Sequence, residues 1–122
     1  MILLGLIVAG ACGALLRYEG ELHVRRWLGP AFPWGTLVIN VSGGFVLGLL
    51  TGLAGRDGIS SAALTVVGTG LLGAYTTFST FTFDAVTQAE RGRVGGAAAN
   101  VGASILLGLG AVALGLLVGT TV

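Results

Sequence analysis

The chain has 122 residues, of which 54% are hydrophobic and 9% are charged, whereas roughly 25% of the residues in an average soluble domain are charged. All six basic residues are arginines, and five acids leave a formal net charge of +1, so nothing in the charge balance favours a nucleic-acid partner. This composition excludes an ordinary soluble domain and predicts a protein embedded in the lipid bilayer.

Four apolar segments predict membrane spans at residues 2–28, 32–54, 59–83 and 94–118. The last three exceed the ~20 residues that a helix needs to cross a hydrocarbon core about 30 Å thick. The first apolar run ends at Leu16, and we expect its helix to continue past Arg17 into an interfacial turn. No basic residues precede this run, so we expect it to belong to the mature protein rather than to a secretory signal. The predicted fold class is an all-α membrane protein, a single domain of four transmembrane helices over residues 1–122.

Small residues recur at four-residue spacing along three of the predicted helices, which predicts close approach of helix backbones. The stripes are Gly5, Ala9 and Gly13; Gly44, Gly48 and Gly52; and Gly95, Ala99 and Ala103. Four short helices nevertheless enclose little volume. We therefore expect a transport path through this chain to require a second copy.

The arginines are unevenly distributed between the two ends of the predicted bundle. If the first and third loops face one side, that side holds every arginine except Arg56. The positive-inside rule then favours a cytoplasmic location for those loops.

Few polar residues interrupt the predicted spans, and each is expected to point into the protein or a wet cavity. They are Arg17, Asn40, Asn100, Ser104 and a hydroxyl cluster in the third span. Asn40 has two open interpretations: an amide that bonds to a neighbouring helix, or an N–H donor facing an anion path. The same two interpretations apply to Asn100 and Ser104, for which bonding to a neighbouring helix is favoured. No carboxylate lies in the middle of a predicted span, which argues against a proton-coupled exporter.

The segment Gly70–Asp84, GLLGAYTTFSTFTFD, carries five hydroxyl side chains within seven residues. Glycines followed by β-branched residues with competing hydroxyls weaken the helical hydrogen-bond ladder, so we predict a break near residues 73–77. Non-helical backbone at membrane depth persists where it is buried or lines an ion site. The carbonyls of Gly73 and Thr76 would suit a small hard cation.

Phe78 and Phe81 are three residues apart and therefore share one helix face. Ordinary packing explains two such rings on spacing alone. The alternative is that their positive ring edges face an anion, while nearby hydroxyl and amide donors, among them Thr77 and Ser79, replace part of its hydration shell.

Three segments resemble the signature motifs of the Fluc-type fluoride channels, the CrcB family. They are GACGALLRY at Gly10–Tyr18, WGTLVINVSGGFVLG at Trp34–Gly48 and GLLGAYTTFSTF at Gly70–Phe81. The resemblance extends from about Gly5 to Ser104. It implies a fluoride-export channel in the cytoplasmic membrane, formed by an antiparallel homodimer with two pores around a sodium ion.

The resemblance also implies roles for individual residues. Gly73 and Thr76 would hold sodium through backbone carbonyls, and Phe78 and Phe81 would line the pores with Asn40. Arg17 would lie in a positive vestibule, and Ser104 would extend a polar track on the fourth helix. Asp84 departs from the family, which usually has glutamate there, and the uneven arginines depart from a chain that inserts equally in both orientations.

Two other functions compete with a fluoride channel. A small four-helix multidrug exporter shares the size but leaves TTFSTF unexplained, and a non-conducting scaffold explains the glycines but not Asn40 or the hydroxyls. We do not expect an enzyme, because His23 stands alone and no nucleophile and base form a recognisable pair.

Overall fold

The computed structural model describes residues 1–122, and all of its regular elements are helical. In chain order these are α1 (Ile2–Leu28), α2 (Trp34–Ala54), α3 (Ser61–Leu64), a π-helix (Thr65–Leu72), α4 (Gly73–Tyr75), α5 (Phe78–Glu90) and α6 (Val94–Thr121). The segment from α3 to α5 forms one span, Ser61–Glu90, so four helical spans are long and apolar enough to cross a membrane. The predicted fold class, including the broken third helix, is confirmed.

The helix ends follow from local chemistry. Gly29 ends α1 with φ of 79°, a left-handed conformation that suits glycine, and its N–H donates to the Arg25 carbonyl. Ser60 caps α3, its hydroxyl oxygen accepting from the Ala63 N–H at 3.1 Å. The third span continues beyond the predicted end at residue 83, because α5 runs on to Glu90 and only a three-residue turn separates it from α6.

The third span contains a π-helix that was not expected from the sequence. In this stretch the ladder shifts by one residue, as in the bond from the Gly73 N–H to the Gly68 carbonyl. Its Gly70 lies against α1, where an added Cβ would come within 3.1 Å of the Ala9 Cβ. The predicted contact stripe on α1 is confirmed there, and Gly13 of that stripe lies against the Leu71 carbonyl.

The most extensive helix contact joins α2 to α6. An added Cβ on Gly52 would lie 2.7 Å from the Leu116 carbonyl oxygen, and one on Gly48 would overlap the Val112 carbonyl. On α6 the close contacts come from Gly115 and Gly119. The stripe at residues 95–103 was predicted to make a close helix contact. Within one chain this is wrong at Gly95, because no atom lies within 4 Å of a Cβ added there.

The protein has a small interior and a largely apolar surface. Fifteen of its 122 residues are buried, and the buried hydrophobic ones are Leu37, Ile39 and Leu72. Large side chains such as Leu106 and Leu109 are exposed along α6. A soluble protein would hide such surfaces from water, whereas a bilayer accepts them, so this is a multi-pass membrane protein.

Candidate functional site

The third span breaks at Thr76 and Thr77, whose backbones are extended, with φ and ψ of −78° and 157° and of −148° and 124°. Across the break, the side-chain amide of Asn40 in α2 pairs with the backbone of Thr77. Its Nδ2 donates to the Thr77 carbonyl at 2.8 Å, and its Oδ1 accepts from the Thr77 N–H at 2.8 Å. Asn40 thus replaces the helical hydrogen bonds that the break removes.

The Thr77 hydroxyl begins the next helix. Its Oγ1 accepts from the Thr80 N–H at 3.1 Å, which makes Thr77 the N-cap of α5. The same hydroxyl donates to Thr80 Oγ1 at 3.1 Å and lies 3.3 Å from Ser79 Oγ. The hydroxyl cluster therefore has a structural role in restarting the helix.

The break changes the surroundings of the carbonyls of Gly73 and Thr76. In a continuous α-helix their partners would be the N–H groups of Thr77 and Thr80. Those groups donate instead to Asn40 Oδ1 and to Thr77 Oγ1. Gly73 is also exposed on the surface of the chain. Both carbonyl oxygens are thus deprived of their ordinary helical donors at membrane depth.

Close packing against α2 positions the break. Gly43 lies directly beneath it, and an added Cβ there would overlap the Thr76 methyl group and come within 3.1 Å of the Tyr75 ring. The Tyr75 hydroxyl lies 2.9 Å from Ser42 Oγ. The sequence analysis did not select Ser42, Gly43 or Tyr75. A glycine beside a serine in the middle of a span was nevertheless a signal for close approach of two backbones.

An open groove of about 350 Å³ lies beside the break. Six predicted site residues from α2, the break, α5 and α6 line it: Asn40, Thr76, Thr77, Phe78, Phe81 and Ser104. Ile105 of α6 completes the lining. The rings of Phe78 and Phe81 are 5.8 Å apart between centroids and tilted by 52°. Phe78 is 76% exposed, so one side of the groove is open in the single chain.

The remaining predicted residues lie elsewhere. Gly73 and Ser79 are close in sequence to the groove but do not line it, and Arg17 lies on α1. Arg17 makes no side-chain hydrogen bond or ion pair within the chain. Ser104 donates a long hydrogen bond of 3.4 Å to Asn100 Oδ1, while Asn100 Nδ2 is buried with no partner.

A second cavity, which we call the arginine-end cavity, has a volume of about 290 Å³. It lies where the α1–α2 and α5–α6 connections meet, so these two loops share one end of the bundle. Its polar lining comprises Glu21, Arg25, Thr36, Thr80, Asp84, Thr87, Gln88, Arg91 and Arg93. The sequence analysis singled out Asp84 and the arginines but missed Glu21, Thr36 and Gln88, because only the fold brings these helices together.

The geometry of the groove defines a class of protein. Amide, hydroxyl and aromatic groups converge on a helix break inside a small apolar bundle, an arrangement suited to binding a small ion that has shed part of its water. No group of three or more His, Cys, Asp or Glu side chains forms a metal cluster. The class is a small multi-pass membrane protein with a polar break in one of its helices.

Comparison with known proteins identifies the family. The sequence profile of the CrcB-like protein, Camphor Resistance (CrcB) family matches residues 4–116, and the chain belongs to this family. A protein of Nitrobacter winogradskyi named "Fluoride-specific ion channel FluC" is 42% identical over 115 residues, covering 93% of this chain and 91% of the relative. A protein of the same name from Acidobacterium capsulatum is 43% identical, covering 94% and 93%. "Fluoride-specific ion channel FluC 1" of Streptomyces avermitilis is 48% identical over 107 residues, covering 87% and 86%.

Proposed function

We propose that this protein is a fluoride-selective channel that exports fluoride passively across the cytoplasmic membrane and so limits fluoride toxicity. The observation that carries the proposal is the groove joining Asn40, Thr77, Phe78, Phe81 and Ser104, found in a family whose relatives are named fluoride-specific ion channels. These relatives give no support to a multidrug exporter or a scaffold, and their names describe channels rather than enzymes.

Donors and ring edges at the groove support an anion as the permeating ion. Asn40 Nδ2 uses one of its two N–H groups on Thr77, which leaves the second for a ligand. Ser104 lines the same groove from α6, and its hydroxyl would have to leave its long 3.4 Å bond to Asn100 Oδ1 to donate to a ligand. Phe78 and Phe81 would present positive ring edges and exclude water, and Thr77 and Ser79 would add hydroxyls nearby. Arg17 would raise the local concentration of anions on the approach to this path.

An antiparallel homodimer would complete the groove. Phe78 is largely exposed although it lines the groove, and Gly73 is exposed at membrane depth beside the break. A second copy covering this face would enclose both and bury the extended backbone. Antiparallel packing would place two identical breaks side by side and form two pores.

A sodium ion at the dimer centre fits the carbonyls that the break frees. Gly73 and Thr76 would each offer a backbone oxygen whose ordinary helical donor is engaged elsewhere. Oxygen ligands of this kind suit a hard cation. When bound, sodium would supply positive charge between the two copies and hold the broken helices together.

Ion flux from liposomes tests the proposal. We expect purified protein in vesicles loaded with potassium fluoride to release fluoride rapidly to an external electrode, with little release from vesicles loaded with potassium chloride. Equal release of the two ions would remove the claim of selectivity.

Variants of the two rings test whether the groove is the path. Phe78→Leu and Phe81→Leu keep apolar bulk but remove the ring edges, so fluoride release should collapse in variants that still elute as dimers. Phe83→Leu is the matched control, because Phe83 lies outside the groove, and it should release fluoride like the parent. If Phe78→Leu and Phe81→Leu release fluoride as fast as the parent protein, the two rings only pack and do not contact the ion.

A further inference from the structure

Helix α2 holds the broken third span on both sides of the break. After the break, Asn40 bonds to both backbone groups of Thr77 at 2.8 Å. Before the break, the Tyr75 hydroxyl lies 2.9 Å from Ser42 Oγ, a contact to which the proposed channel assigns no role. The extended residue Thr76 lies between these two attachments, so its backbone is fixed from both ends.

The direction of the hydrogen bond between Tyr75 and Ser42 follows from a third group. Ser42 Oγ lies 3.1 Å from the Ile39 carbonyl oxygen, which can only accept, so the Ser42 hydroxyl donates to it. The Tyr75 hydroxyl is therefore the donor to Ser42 Oγ. The two bonds attach the tyrosine ring to the backbone of α2 at Ile39, a residue that is only 1% exposed.

Thr76 has one polar group that the chain leaves free. Its N–H and its Oγ1 both donate to the Leu72 carbonyl at 2.9 Å. Its own carbonyl accepts no backbone hydrogen bond, because the Thr80 N–H donates to Thr77 Oγ1 instead. The direction of this carbonyl is therefore set by the position of the Thr76 backbone and not by a hydrogen-bond partner.

The Tyr75 ring packs where α2 has no side chain. A Cβ added to Gly43 would come within 3.1 Å of this ring and would overlap the Thr76 methyl group. The ring can therefore lie against the α2 backbone, within reach of the Ser42 hydroxyl. Neither Tyr75 nor Ser42 lines the groove, so we expect the pair to act on the carbonyl side of the break and not on the anion.

We propose that Tyr75 and Ser42 are a positioning pair that aims the Thr76 carbonyl at the cation of the break and so raises the affinity for sodium. This role rests on the sodium site proposed above and adds to it two residues that touch no ion. A carbonyl that is held in its bound direction before the ion arrives loses less conformational freedom on binding, so the ion is bound more tightly. Loss of one such hydrogen bond should weaken sodium binding about three- to tenfold.

Thermal unfolding at increasing sodium concentration tests the pair, because an ion that binds only the folded protein raises the unfolding midpoint. Purified protein in detergent is titrated with sodium chloride in place of N-methyl-D-glucamine chloride at constant ionic strength. The rise in the midpoint gives the apparent dissociation constant for sodium. We expect Tyr75→Phe and Ser42→Ala each to raise this constant about three- to tenfold. The double variant should match the single variants, since all three remove the same hydrogen bond.

Tyr18→Phe is the matched control, because it removes the same oxygen from a tyrosine that is 64% exposed on α1, and it should bind sodium like the parent. A bond with a merely structural role would lower the midpoint equally at every sodium concentration. An unchanged dissociation constant in both single variants would therefore overturn the positioning role and leave the sodium site standing. A parent protein whose midpoint does not respond to sodium would overturn the sodium site, and the pair with it. Fluoride release enters neither readout, so a failure of fluoride selectivity would be recognised separately.

Discussion

At the scale of single residues, Asn40 and Asn100 look alike in the sequence but differ in their surroundings. Asn40 makes two hydrogen bonds of 2.8 Å to the backbone of Thr77, which is itself 7% exposed. Asn100 is 1% exposed, yet its amide accepts a single 3.4 Å bond from Ser104 and its Nδ2 has no partner. Removing the Asn40 side chain would leave the Thr77 N–H and carbonyl without hydrogen-bond partners. Removing the Asn100 side chain would cost only the long bond from the Ser104 hydroxyl.

We therefore predict different stabilities for the two leucine variants. Asn40→Leu should lower the free energy of unfolding by about 1–3 kcal/mol for each backbone group of Thr77 left unpaired. Asn100→Leu, the matched control, should cost much less or be stabilising, because it also removes an unsatisfied buried donor. Thermal unfolding midpoints in detergent compare the two, and equal losses would contradict a special role for Asn40 at the break.

At the scale of helices, contact between α2 and α6 depends on glycines that let the two backbones touch. An added Cβ on Gly115 would overlap the Phe45 carbonyl and lie 2.9 Å from the Leu49 backbone nitrogen. These are backbone atoms, which cannot rotate away as a flexible side chain could. Gly110, on the same helix, would place an added Cβ with no atom of the chain within 4 Å.

Alanine at these two positions should have effects of opposite sign. Gly115→Ala should destabilise the protein by about 1–3 kcal/mol, because α2 and α6 must move apart. Gly110→Ala should stabilise it by up to about 1 kcal/mol through helix propensity. Denaturant unfolding in matched micelles measures both variants, and the helix contact would be misassigned if Gly115→Ala were tolerated as well as Gly110→Ala.

At the scale of the whole molecule, one end of the bundle carries most of the arginines and the other carries Arg56. Arg93 Nη1 donates to the Ala31 carbonyl at 3.4 Å and ties the α5–α6 connection to the α1–α2 connection. Arg56 Nη1 donates to the Thr120 carbonyl at 2.6 Å at the opposite end. This asymmetry favours one orientation in the membrane, whereas an antiparallel dimer requires both.

Cysteine labelling decides between these orientations. In a Cys12→Ala background, Gly55→Cys places a thiol in the exposed α2–α3 connection, where an added Cβ has no contact closer than 3.5 Å. An antiparallel dimer predicts that an impermeant maleimide labels about half of this cysteine in intact cells and the rest only after permeabilisation. Glu90→Cys, at the opposite end, should give the same pattern. Labelling of each site from one face alone would exclude the antiparallel arrangement.

The sequence by itself determined the features that depend on local composition. Runs of apolar residues predict the four spans because a helix satisfies its backbone groups within one segment of chain, as the lipid requires. The glycines and threonines at residues 73–77 predict the break because they weaken the helical ladder locally. The spacing of three residues between Phe78 and Phe81 predicts that both rings lie on one face of α5.

Only the tertiary structure decided which distant groups meet. That Asn40 pairs with Thr77, that Gly115 rather than Gly95 makes the helix contact, and that Glu21 and Gln88 face one cavity all join residues from different helices. Helical periodicity fixes which side chains share a face, but it leaves open the neighbour against which that face packs. Crossing geometry and the one-residue shift of the π-helix set those neighbours, and both depend on contacts summed over the whole bundle.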